Sequence, residues 1–335
     1  MAESKPSPKA GGQGAASRKA GAAPAPPTTY HFTSVLPQDL RIDFVGKRMI
    51  FIILSTILNV IAVVLLFTRG LNLGVDFKGG TDVRLRFAEP TTAAALRDEL
   101  TGLNLRDLTV QDFGVQGREF LLRFEVEEGQ EMSSVSDTIS TLFKQSRPQD
   151  NAFEILSVES VGPRVGSALR RQGFLAVAFA TIFMGIYIAV RFDLSFGAGA
   201  VIALIHDVLI ALGALMITGI PFDLTTLAAV LTVVGFSVHD TIIVSDRIRE
   251  KLKRERKAGL ADVINRSINE TLSRTLLTTG TALLVLLALF FLGGTGLKPF
   301  AFTLIIGFIT GTYSSIYIAA PVVLLWSKRS KLATA

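Results

Sequence analysis

The sequence predicts a membrane all-α six-helix bundle carrying one extracytoplasmic α+β ferredoxin-like domain, and three observations lead there. Apolar runs with few charges recur six times, each near the roughly 20 residues that cross a hydrocarbon core while satisfying their own backbone hydrogen bonds. Lys and Arg gather beside alternate ends of these runs. Between the first and second runs the pattern changes to short strands and amphipathic helices.

In chain order, residues 1–40 open with Ala, Gly, Pro, Ser and Lys, too few large apolar groups to offset the entropy of ordering, and predict a disordered cytoplasmic tail. The first apolar run starts at Met49, too long for a signal-peptide core and with no small-x-small cleavage site after it, so it stays as a signal anchor. The spans are residues 49–67, 173–190, 196–218, 224–245, 275–292 and 300–326, with a short cytoplasmic tail at 327–335. Trp326 suits an interfacial anchor. Within residues 69–172, Val83, Leu85 and Phe87 alternate on one face of a strand at 82–88, and a Thr-capped, Ala-rich helix follows at 91–100. Strands at 105–113 and 119–126 flank a turn at 114–117. A helix at 132–145 aligns Val135, Ile139, Leu142 and Phe143, and a last strand covers 153–161. This β-α-β-β-α-β order is the ferredoxin-like split unit.

Orientation follows from the short basic loops. Arg41, Lys47 and Arg48 precede the first span, Arg191 joins the second to the third, a run from Arg247 to Lys257 joins the fourth to the fifth, and Lys328, Arg329 and Lys331 follow the sixth. All fall on one side, which the positive-inside rule makes cytoplasmic together with both termini. The formal net charge of +6 is therefore read as orientation, with anionic membrane lipid as a secondary contact of the Arg247–Lys257 run, and not as a nucleic-acid footprint. With no cysteine in the chain, disulfides and thiolate chemistry are excluded. No nucleophile–base pair, phosphate loop or metal-ligand spacing stands out, so no enzyme activity, cofactor or metal is expected.

The candidate functional residues are ionisable groups inside spans, which cost about 2.5–3.5 kcal/mol at a helix centre and so face a protein interior or a wet cavity. His206 and Asp207 lie in the third span, His239 and Asp240 in the fourth, and Arg274 at the start of the fifth. Ser237, Asp240, Thr241 and Ser245 share one helical face; Thr271, Arg274, Thr278 and Thr281 share another. Asp240 and Arg274 fall at similar depth on antiparallel neighbours. They are either a proton switch or a permanent salt bridge, and the hydroxyl stripes favour the switch. Asp207 is either a second relay or a packing group. Adjacent side chains on a helix point about 100° apart, so neither His-Asp pair offers a shared ligand face, and the histidines are read as packing or hydrogen-bonding residues. Gly307 and Gly311 permit close helix approach.

The stretches Gly74–Thr81 (including Asp76, Gly79 and Gly80), 161–163, 234–250 (including Gly235, His239 and Asp240) and 273–275 closely resemble the SecF family of protein-export membrane subunits, over residues 42 to 326. The resemblance implies membership of the resistance–nodulation–division superfamily, of which this chain would be one six-helix half and SecD the other. It implies that the proton motive force helps preproteins complete export through SecYEG, with YajC and YidC as further candidate partners, in the bacterial inner membrane. It also implies that Asp240 and Arg274 take part in proton passage. The competing readings are a purely structural subunit and a proton-driven exporter of small molecules or lipids. The single short external domain argues against the exporter, and Na⁺ remains as open as H⁺.

Overall fold

The computed structural model describes residues 41–103, 105–112, 117–125, 137, 139–141, 143–145, 153–255 and 257–333; the predicted tail at 1–40 lies outside them. Among the described residues, six helices are long and apolar enough to cross a membrane: Arg48–Thr68, Pro163–Arg191, Leu194–Thr218, Leu224–Arg254, Leu260–Leu292 and Gly296–Trp326. Several outrun the apolar windows. The second span starts at Pro163, a favoured first helical residue, and the fifth at Leu260, which puts Arg274 well inside that helix. The fourth is started by Asp223, whose carboxylate accepts from Thr226 N while the Thr226 hydroxyl accepts from Asp223 N. The sixth is interrupted by a π-helical turn at Ser315–Ala319 and resumes through Ala333.

Between the first two spans lies a four-stranded antiparallel sheet: β1 (Gly80–Phe87), β2 (Arg106–Asp112), β3 (Glu119–Glu125) and β4 (Phe153–Val161), in the order β2-β3-β1-β4. That is the strand order of the split unit. Thr92, one residue later than the predicted start, caps the helix Ala93–Leu100 through a bond from Ala95 N. The described residues of the second helix, at 137, 139–141 and 143–145, are helical; Val135 and Leu142 lie outside the described residues, as does most of the predicted 114–117 turn. Val83, Leu85 and Phe87 are buried as their alternation requires, with Leu96, Leu100, Phe120, Leu122, Phe124, Ile139 and Phe143.

The sheet is fastened to the bundle. Arg123 on β3 donates to both oxygens of Asp82 on β1, to Asn72 Oδ1 and to the Leu73 carbonyl, at 2.8–3.2 Å. Asn72 in turn donates to the Gly219 carbonyl, and the chain at Leu73 bridges to Phe222 in the loop between the third and fourth spans. Asp76 accepts from Leu224 N, the first residue of the fourth span. Gly79 and Gly80 have φ of 84° and 111°, conformations L side chains rarely adopt, and a Cβ on Gly79 would lie 2.8 Å from Pro163 Cα. The motif glycines thus let β1 start where the second span begins. Burial raises the Asp82 carboxyl above its ordinary value, with the Arg123 bonds pulling the other way. Removing one partner of such a buried pair strands the other, at about 3–5 kcal/mol. Arg123→Ala should therefore lower the thermal midpoint of the detergent-solubilised chain and open the sheet to protease; an unchanged midpoint would contradict the fastening.

Candidate functional site

The third, fourth and sixth spans meet closely because the sixth presents glycines. A Cβ on Gly307 would overlap Val233, and one on Gly311 would sit 3.1 Å from Ser237 Cβ. The predicted Gly307–Gly311 spacing is thus a contact with the fourth span. It brings the hydroxyls of Thr312 and Ser314 against two buried carboxylates.

Asp207, fully buried in the third span, accepts from Ser237 Oγ at 2.5 Å and Ser314 Oγ at 2.7 Å through one oxygen. Its other oxygen lies 2.8 Å from His206 Nδ1. The 100° separation of neighbouring helical side chains does not prevent this bond, because the imidazole swings back along the helix. His206 also stacks on Tyr313, whose hydroxyl donates to Phe51 O and pairs with Ser55 of the first span. Three donors therefore converge on Asp207, the provision a buried carboxylate needs.

Asp240 is equally buried but differently supplied. Thr312 Oγ1 reaches one oxygen at 3.2 Å, and Thr279 on the fifth span meets Thr312 at 2.8 Å, a hydroxyl chain that ends on the carboxylate. Among the described residues, the other Asp240 oxygen has no hydrogen-bond partner, nor do the buried Thr275 hydroxyl and His206 Nε2. The Asp207 and Asp240 clusters lie next to each other along the fourth and sixth spans, through Ser237 and Asp240 and through Thr312 and Ser314. Together they make a polar column with contributions from the first, third, fourth, fifth and sixth spans. The π turn at Ser315–Ala319 begins beside Ser314, a common place for such a turn.

Two expectations need correction. Asp240 and Arg274 form no ion pair: Asp240 is buried and meets Thr312 of the sixth span, while Arg274 is exposed and lines a cavity of about 620 Å³ with Tyr187, Asp246, Arg247, Glu270 and Thr271. Equal depth along two helices fixed their height and left their angle about the axis open. For the same reason the inward stripe of the fifth span is Thr271, Thr275 and Thr279, spaced by four. Arg274 and Thr281 point outward, and Thr278 is half-buried. Thr281 bonds only its own helix. Thr279, Thr312 and Ser314 escaped the sequence reading because lone hydroxyls in apolar helices usually bond their own backbone. Gly235 and His239 are exposed on the outer face of the fourth span, one turn apart, and a Cβ on Gly235 would meet nothing. Three cations of the basic stretch are paired within the chain: Arg247 and Arg254 with Glu250 on their own helix, and Arg247 and Lys251 with Glu270, which ties the fourth span to the fifth. No group of three or more His, Cys, Asp or Glu side chains suited to a metal occurs among the described residues.

A family model for the C-terminal part of the protein-export membrane proteins SecD and SecF matches residues 141–329, and one for the SecD/SecF GG motif matches residues 64–91. The protein translocase subunit SecF of Calditerrivibrio nitroreducens is 44% identical over 296 residues, covering 88% of this chain and 97% of that protein. The chain belongs to the SecF family. The SecF subunit of Rickettsia prowazekii is 37% identical, covering 88% of this chain and 94% of the relative. The crystal structure of SecDF from Thermus thermophilus, described as translocon-associated, matches with a TM-score of 0.79 at 35% identity. The SecDF structure in its super-membrane-facing form matches at 0.65 and 37%. Each match covers 88% of this chain and 40% of the SecDF chain, so this chain spans less than half the length of those SecDF chains. It is a multi-pass membrane protein, and the matched GG motif includes Gly79 and Gly80.

Because Asp207 is met by two serines, removing either hydroxyl should cost about 1–3 kcal/mol. Ser237→Ala and Ser314→Ala should each lower the thermal midpoint, and the double variant should depart from additivity because both donate to one oxygen. Strict additivity would argue against the shared site.

Proposed function

We propose that this chain is the SecF half of a proton-driven accessory motor of the Sec translocase. It pairs with SecD and helps preproteins complete export through SecYEG, in the bacterial inner membrane, with YajC and YidC as further candidate neighbours. The basic end and both termini are cytoplasmic, and the sheet domain acts on the exported chain on the other side. The observation that carries this reading is the buried Asp240, with one oxygen held by a hydroxyl chain and the other unpartnered among the described residues, set in a polar column inside the bundle.

A carboxylate placed this way can take and give up a proton, and Asp207, His206 and the serines form the second polar centre beside it. Arg274 and Thr278 sit on the outward side of the fifth span, and Gly235 with His239 on that of the fourth. That side suits a neighbouring six-helix half from SecD, which would complete a proton path through Arg274. The energy is sufficient: one charge moved through 100 mV provides about 2.3 kcal/mol, a bias of roughly fiftyfold between two arrangements of the sheet domain.

In inverted membrane vesicles, Asp240→Asn should abolish the proton-motive-force-dependent late step of preprotein translocation while SecD still copurifies. Retained late translocation would overturn the proton role. Lost copurification would favour a purely structural subunit.

A further inference from the structure

At the sheet-domain end of the bundle two cavities share Gly70, Leu71 and Leu73 as a common wall. One, of about 810 Å³, is an apolar groove between the first four spans, walled by Phe174, Val177, Val201, Leu209, Phe222 and Leu227, with Arg170 the single charged group along it. The other, of about 390 Å³, is polar and lined by Arg69, Lys78 and Arg123. Arg123 is spent on Asp82, but Arg69, Lys78 and Arg170 are exposed and, among the described residues, make no ion pair. Among the described residues no Asp or Glu lines either cavity; the nearby Asp76 and Asp223 lie outside both linings and accept from Leu224 N and Thr226 N at the start of the fourth span.

The groove also opens on the lipid side. The outer surfaces of the first and second spans are apolar, with Ile53, Ile57, Phe179 and Phe183 exposed, whereas the outward polar positions Gly235, His239 and Arg274 belong to the fourth and fifth. An apolar channel sharing a wall with a cationic pocket matches an amphiphile with an anionic head and hydrocarbon tail. We propose that this double cavity is a binding site for one anionic glycerophospholipid, its phosphate held between Arg69 and Lys78 and an acyl chain lying in the groove past Arg170. The bound lipid would lie against the Leu73–Phe222 bridge that fastens the sheet domain to the bundle. The site stands independently of the proton reading.

The test uses the full chain, exchanged in mild detergent against equal phosphatidylglycerol and phosphatidylcholine, with retained lipid counted by native mass spectrometry. Phosphatidylglycerol should be kept in preference. Neutralising Arg69, Lys78 and Arg170 to Gln should erode that preference by about fivefold per cation without lowering the thermal midpoint. Val177→Trp, which fills the groove, should lose both lipids. Equal retention of the two lipids by the unaltered chain, or a preference that survives the triple substitution, would overturn the proposal. So would a Val177→Trp chain that keeps its phosphatidylglycerol and loses copurifying SecD instead, since the groove would then seat a protein helix.

Discussion

A carboxylate inside a helix bundle must be met by donors, and much of this molecule follows from meeting two of them. Asp207 and Asp240 sit on neighbouring helices, and among the described residues no lysine or arginine pairs with either. The donors that reach them from other helices are hydroxyls, which are short and reach a carboxylate only when helix axes come close. Gly307 and Gly311 provide that approach, laying the sixth span against Val233 and Ser237. Substituting either glycine with a larger residue would therefore disturb packing and the polar column together.

The two carboxylates are not equivalent. Asp207 takes three hydrogen bonds from two other spans and its own neighbour, an arrangement that fixes the third, fourth and sixth spans to one another. Asp240 has one donor and one bare oxygen, so its surroundings commit it less firmly. At the other end, the fourth span begins at Asp223 and Leu224, directly beside the strap formed by Asn72, Leu73, Asp76 and Arg123. Asp240 and the start of this strap to β1 and β3 therefore lie on one continuous helix, with Asp207 tied to it through Ser237.

The architecture was largely legible in the sequence. Hydropathy alone marks all six spans, since few other segments can hold so many apolar residues, and period-two alternation marks β1 through Val83, Leu85 and Phe87. The helix ends of the second and fifth spans were not legible, because amphipathic turns carrying Arg164, Arg170 or Arg266 extend past the apolar windows. In the site, depth along a helix could be read but azimuth only in part. Ser237 and Asp240 were rightly placed together, whereas Arg274 was turned the wrong way and the stripe of the fifth span was displaced onto its outer side. Thr312 and Ser314 carried no signal, because a hydroxyl in an apolar helix acquires meaning only when a second helix brings a partner to it. The Asp82–Arg123 fastening was equally hidden, resting on a register between β1 and β3 that alternation leaves open.

The most direct test of the central claim is ion flux through the polar column. This chain and SecD, reconstituted together in proteoliposomes with a trapped pH dye, would be placed under an imposed pH gradient, and in a parallel arm under a Na⁺ gradient. The account predicts proton entry through the unaltered pair, none through Asp240→Asn, and no response to Na⁺ alone. Equal proton entry with Asp240→Asn would contradict it.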